Sequence, residues 1–142
     1  RGLATGDLDN DGRIDAVVTT NDGHVAILHN ETQTENHWIT LQLRGHKSNR
    51  DGIGAEVKIT TPDGSQWATV STAGSYLSSN DKRVHFGLAG YAKANTIQIH
   101  WPSGIVQTLL DVQGDRIVQV DEPSTSSSAD DSAIPPGNSN PK

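Results

Sequence analysis

The stretch from Ile53 to Thr72, IGAEVKITTPDGSQWATVST, reads as strand, turn and strand. In its first half Ile53, Ala55, Val57 and Ile59 fall on one side of an extended chain. Glu56, Lys58 and Thr60 fall on the other, giving the period-two alternation of a half-buried strand. Thr61-Pro62-Asp63-Gly64 interrupts it, because proline pre-sets φ and glycine accepts the positive φ that a tight turn demands. Gln66 to Thr72 then returns along the first strand.

The same signature repeats outward from this hairpin. His37 to Leu43 alternates, with Ile39, Leu41 and Leu43 on one face and Trp38, Thr40 and Gln42 on the other. Further strands are expected at Arg83 to Leu88, Thr96 to Trp101, Ile105 to Val112 and Arg116 to Val120, with Trp101-Pro102-Ser103-Gly104 as a turn. Toward the N-terminus, Ala16 to Thr20 is a β-branched run. Asn21-Asp22-Gly23 supplies turn chemistry, and His24 to His29 returns as the second arm of a hairpin. No segment carries a helical period. Short strands about 8 to 12 residues apart, each bounded by turn residues, are the pattern of a sandwich or barrel. The expected fold class is all-β.

Composition narrows the functions available. Hydrophobic residues are 32% of the 142, low for a chain packed throughout. The deficit concentrates in residues 123–142, where Ile134 is the one large apolar side chain; this segment is expected to be a disordered tail or linker. A net charge of −6 argues against a nucleic-acid partner, since phosphate binding needs clustered Lys and Arg. Arg44, Lys47 and Arg50 form the one local basic group and read as a solvated loop. No apolar run approaches the roughly 18 to 20 residues that span a bilayer, so no membrane insertion is expected. The chain has no cysteine, which removes disulfides, thiolate metal sites and cysteine nucleophiles together. Without a starting Met or a leader, it is expected to be a piece of a longer precursor.

The residues that carry chemistry lie at Gly6-Asp7-Leu8-Asp9-Asn10-Asp11-Gly12-Arg13-Ile14-Asp15. Carboxylates at every second position of a tight loop can converge on one point. Gly12 takes the sharp bend, the Arg13 backbone carbonyl offers a neutral oxygen, and Asp15 completes the shell. Carboxylates so placed repel by roughly 1 kcal/mol per pair in water, and by about 4 at an effective dielectric of 20. A cation would relieve that repulsion. Calcium suits the loop better than magnesium, because it accepts six to eight oxygens in loose geometry. An EF-hand is excluded: its twelfth position needs a bidentate Glu, Val18 stands there, and a strand former follows where a helix should.

The loop and the strand after it, through Ala16-Val17-Val18, resemble the FG-GAP or VCBS repeat of integrin-α-like β-propellers. The resemblance implies calcium ligands at Asp7, Asp9, Asp11, the Arg13 carbonyl and Asp15. It covers about 30 residues, of which about two strands are expected. Farther along, Asn49-Arg50-Asp51-Gly52-Ile53-Gly54-Ala55, Gly74-Ser75-Tyr76-Leu77-Ser78-Ser79, His85-Phe86-Gly87-Leu88 and Trp101-Pro102-Ser103-Gly104 resemble the ASPIC/UnbV domain. That domain is found at the C-terminus of cartilage-acidic-protein-like proteins. Ser79, where the family often has Gln, and Ala89, in place of a Gly, are the departures.

These resemblances imply three parts. Residues 1–32 are a partial propeller blade, a hairpin with its calcium loop; 36–122 are a β-sandwich-like ASPIC/UnbV domain; 123–142 are the tail. They further imply an extracellular protein, secreted or at the cell surface. The expected function is a calcium-binding module for adhesion or for protein or carbohydrate contact, with the rest of a propeller preceding this segment. A purely architectural cap for that propeller is the alternative.

No enzyme is expected. HExxH, GxSxG and P-loop patterns are absent, and Ser75, Ser78 and Ser79 have no base marked for them. The histidines read as strand or loop residues; His24 and His29 are expected on opposite faces of one strand, and His85 and His100 as half-buried and bonded to backbone. Trp38, Trp67, Trp101 and Tyr76 form a conceivable sugar-stacking set, although a lone Trp on a strand usually fills a core. Lys58 beside Glu56 has only the residue types of an isopeptide crosslink. Asn30-Glu31-Thr32 is a glycosylation sequon.

Overall fold

A computed structural model describes residues 2–125. Those residues form ten β-strands and no helix, so the protein is all-β. The tail expected over 123–142 falls largely outside the described residues.

The first three strands are β1 (Gly2–Gly6), β2 (Asp15–Thr19) and β3 (Ala26–Leu28), a small antiparallel sheet in that order. Three strands replace the two expected. Strand β1, GLATG, begins and ends in glycine and has poor strand propensity of its own. Pairing with β2 holds it extended, from Gly2↔Thr19 to Gly6↔Asp15.

The remaining strands are β4 (His37–Arg44), β5 (Glu56–Thr61), β6 (Gly64–Thr69), β7 (Val84–Ala89), β8 (Lys93–His100), β9 (Val106–Gln113) and β10 (Arg116–Asp121). They make two sheets, β10-β4-β7 and β6-β5-β8-β9. Strand β10 runs parallel to β4; the other pairings are antiparallel. The inward side chains of the two sheets merge into one hydrophobic cluster. Ile39 and Leu41 on β4 with Phe86 on β7 join Val57 and Ile59 on β5 and Ile97 and Ile99 on β8. This is a β-sandwich-like domain.

Two side-chain placements depart from simple alternation. Ile53 is exposed, while Ala55, Val57 and Ile59 are fully buried as expected. Gly52 and Gly54 both sit at positive φ, 64° and 91°, so the chain turns there and β5 starts only at Glu56. On β4, Thr40 is buried although it faces away from the core with Trp38. The small sheet lies over that side of β4: Gly12 abuts the Trp38 ring, and Thr40 lines a cleft with Thr5, Gly6 and Asp7. The face that carries Trp38 and Thr40 thus meets a second layer.

Candidate metal centre

Residues 7–14 bridge β1 and β2, and the Gly6↔Asp15 pair closes the loop at its base. Backbone donors hold its shape. The Asp7 carboxylate accepts from Asp11 N at 3.1 Å and Gly12 N at 3.0 Å, and Asp11 Oδ1 accepts from Arg13 N at 2.8 Å. Asp15 accepts from Leu8 N at 3.0 Å and Asn30 N at 2.8 Å. Asn10 and Gly12 take positive φ, 62° and 86°. Asp7 and Asp15 are buried, at 3% and 2% exposure, while Asp9 faces solvent.

This folding brings carboxylate oxygens of Asp7, Asp9 and Asp11 within 4.8 Å of one another. A carboxylate has about four acceptor positions, so the two N–H bonds to Asp7 leave it room for a cation. The donors are hard oxygens, and their chemistry fits a divalent ion such as calcium.

The other expected members are placed as follows. Asp15 groups with Asp9 and His29, again within 4.8 Å. Its carboxyl is held below the usual range, chiefly by the Asn30 and then the Leu8 N–H, with a smaller pull from His29 and with burial opposing. Arg13, expected to serve through its carbonyl, also brings its guanidinium onto Asp11 and donates from Nε to Asn30 O at 2.6 Å. It cancels part of the loop's charge.

His29 is a residue the sequence reading missed. It lies just beyond β3, with Nδ1 3.1 Å from Asp15 and Nε2 3.6 Å from Asp9. The signal was available. Ala16 pairs with Leu28, and both are equidistant from Asp22 in the turn; one further step sets His29 opposite Asp15.

The loop also rests on the sandwich. Arg83 donates to Asp7 O at 2.7 Å and to Asn10 Oδ1 at 2.6 Å, while its Nε binds Asp81 at 2.7 Å. Asp81 N donates to Thr5 O at 3.0 Å, and Thr5 N donates to Asn80 Oδ1 at 3.0 Å. A cleft of about 570 Å³ runs along this seam, lined among others by Asp7, Asn10, Asp15, Asn80, Asp81 and Arg83.

Under the loop, Trp38 stacks on His85 with centroids 5.9 Å apart. His85 Nδ1 lies 2.9 Å from the Thr40 hydroxyl, a side-chain partner instead of the backbone one expected. Burial pushes His85 below its ordinary pKa; Asp7 pulls it up and Arg83 pushes it down.

The aromatic set does not assemble into one platform. Trp101 is 3% exposed and belongs to the core, donating to Gln107 Oε1 at 3.0 Å. Trp38 is held by His85, and Trp67 lies on β6 of the other sheet, 59% exposed. Lys58 Nζ stands 5.1 Å from the Trp67 ring centroid, a cation–π contact on an outer face and not a crosslinking geometry. Asn30 of the sequon donates its amide to Ile14 O at 3.3 Å.

Residues 45–127, more than half of the chain, match the family model described as ASPIC and UnbV. No curated protein matches the chain.

Proposed function

The chain belongs to the ASPIC and UnbV family, and from that premise we propose that it is a calcium-binding extracellular module, with calcium in a structural role. The reading includes the finer assignments: a VCBS or FG-GAP repeat over residues 1–32, and a protein of the cartilage-acidic-protein-like kind. Its activity is contact with a protein or carbohydrate partner, not catalysis.

The observation that carries it is the convergence of Asp7, Asp9 and Asp11 within 4.8 Å in a loop whose bend is made by Gly12. Bound there, the ion would neutralise the carboxylates; Asp7, Asp9 and Asp11 would hold it, with the Arg13 carbonyl and Asp15 as the further ligands that the repeat resemblance implies. Two further features support the wider reading. Leu3, Ile27 and Leu28 on the small sheet, with Val25 just before β3, leave large apolar surface exposed, as a blade built to meet neighbouring blades would. Ser78 and Ser79 donate their hydroxyls to the carbonyls of Tyr76 and Asn80, which suits loop structure more than nucleophilic chemistry.

A thermal melt tests the proposal. Extracellular calcium modules bind with dissociation constants of roughly 10⁻⁴ to 10⁻³ M. At ten times that concentration the ion stabilises the fold by about 1.4 kcal/mol. Calcium should raise Tm over chelator and over equal magnesium, and the Asp9→Ala, Asp11→Ala double variant should lose the rise. An equal response in that variant would defeat the proposal.

A further inference from the structure

Arg83 stands apart from the loop in sequence, on the segment leading into β7, and its three arms reach three different groups. One binds the Asp7 carbonyl, one the Asn10 side chain, and one Asp81 of its own segment. Asn10 is the non-glycine residue of the loop at positive φ, 62°, so Arg83 grips the chain where its backbone is least forgiving. Asp7 is the buried carboxylate whose N–H bonds set the bend at Gly12. The guanidinium itself is partly buried, its side chain 21% exposed, and its fork is preorganised for such a grip. Behind the bend, a Cβ on Gly12 would meet the Trp38 ring at 2.0 Å, so the indole occupies the space directly beneath the loop.

We propose that Arg83 is the positioning residue through which the sandwich holds the aspartate loop in its ion-binding shape, so that ion binding and hairpin docking are one coupled equilibrium. The inference rests on the calcium reading above and deepens it. Arg83 touches no ion; it fixes the Asp7 carbonyl and the Asn10 side chain, and through them where the carboxylates point. Residues behind metal ligands commonly change affinity by about 10- to 100-fold when removed. Coupling is reciprocal, so the ion must in turn tighten the bonds between hairpin and sandwich.

The test is calorimetric titration of the whole chain with calcium, beside amide exchange of Asp81 and Thr5, whose N–H groups bridge the two layers. In the wild type, calcium should slow both amides. Arg83→Met, which keeps the aliphatic stem, should weaken calcium about tenfold and abolish that slowing; Arg83→Lys should recover only part. Asn10→Gly accepts the same φ and leaves the sandwich untouched, so it covers the case in which Arg83→Met fails to fold. It should weaken binding several-fold. A wild type that binds no calcium would overturn the calcium reading and this coupling with it. Calcium binding within twofold of wild type in folded Arg83→Met or in Asn10→Gly would overturn the coupling alone. Ion-independent exchange at Asp81 and Thr5 in a calcium-binding wild type would do the same.

Discussion

Glu122 carries a carboxylate into a place where it is only 4% exposed, at the end of β10. Oε2 accepts from the backbone N–H groups of His46, Lys47 and Ser48 at 2.7, 2.8 and 2.8 Å, and Oε1 from the hydroxyls of Ser48 and Ser103 at 2.8 and 2.5 Å. Burial alone would raise its pKa, but these donors, led by Ser103, prefer the charged form and bring it to about 2. The depressed value fixes the sign of the pH dependence. The stabilisation is fully present above the ordinary value of 4.5 and is lost as pH falls from there toward 2. Tm should therefore drop across that window. Glu122→Gln can keep its oxygen on the three N–H groups and turn its amide toward hydroxyls that rotate to accept. It should fold, with a lower Tm at neutral pH and a flatter acid limb; an unchanged limb would show that other carboxylates set it. Gly12 presents the opposite case, a residue chosen for what it lacks. Gly12→Ala adds a Cβ at positive φ, costing about 1 to 2 kcal/mol, and pushes into Trp38, for about 1 to 3 more. Faster amide exchange in β1 and β2 is the expected readout. The aspartates and Gly12 were legible because their spacing is local. Glu122 and Arg83 were not, because each acquires its role from a partner brought near only by the fold; His29 needed the register of the first hairpin, which its turn at Asp22 sets.

Strands β5 and β8 form the interior of the larger sheet, and buried Val57 and Ile59 on β5, like Ile97 and Ile99 on β8, alternate with less buried neighbours. That regularity made the sandwich readable: alternation survives wherever one face meets a core and the other meets water. It misled where the local backbone or a second layer intervened. Ile53 continued the pattern on paper, yet glycines on both sides turn the chain before it can join β5. Strand β1 had no pattern to read, since its extended form comes from β2. The same logic predicts where substitutions bite. Ile97 on β8 is fully buried, paired to Ile59 on one side and Leu109 on the other. Ile97→Ala should cost about 2 to 5 kcal/mol. Ile27 on β3 is 65% exposed on an edge strand, and Ile27→Ala should stay within about 0.5 kcal/mol. Urea midpoints of the two variants measure both. A large loss at Ile27 would mean that its face is covered in solution.

The whole molecule joins two layers of unequal construction. Every residue of the hydrophobic cluster lies in the sandwich, and the small sheet contributes none. What fastens that sheet is the seam of Arg83, Asp81, Asn80 and Thr5, together with the contact of Gly12 on Trp38. Polar bonds of this kind return only about 0.5 to 1.5 kcal/mol each, more where charge assists. The sandwich draws on nineteen buried apolar side chains. The small sheet should therefore open without unfolding the rest, giving two levels of protection in native-state amide exchange. In chelator, amides of β1 and β2 should exchange with a lower opening free energy than those of β5, β8 and β9. On the proposed function, calcium should narrow the gap, because an ion held only by the closed loop would add its binding free energy to the hairpin's opening cost. The acidic loop makes the chelated state self-repelling, so the narrowing should be greatest at low ionic strength, where carboxylate repulsion is least screened. If β1 and β2 instead exchange in step with β8 in chelator, docking on the sandwich alone would suffice to hold the hairpin. The ion would then not be needed for its closure, the sheet being already fixed by Arg83 and Trp38.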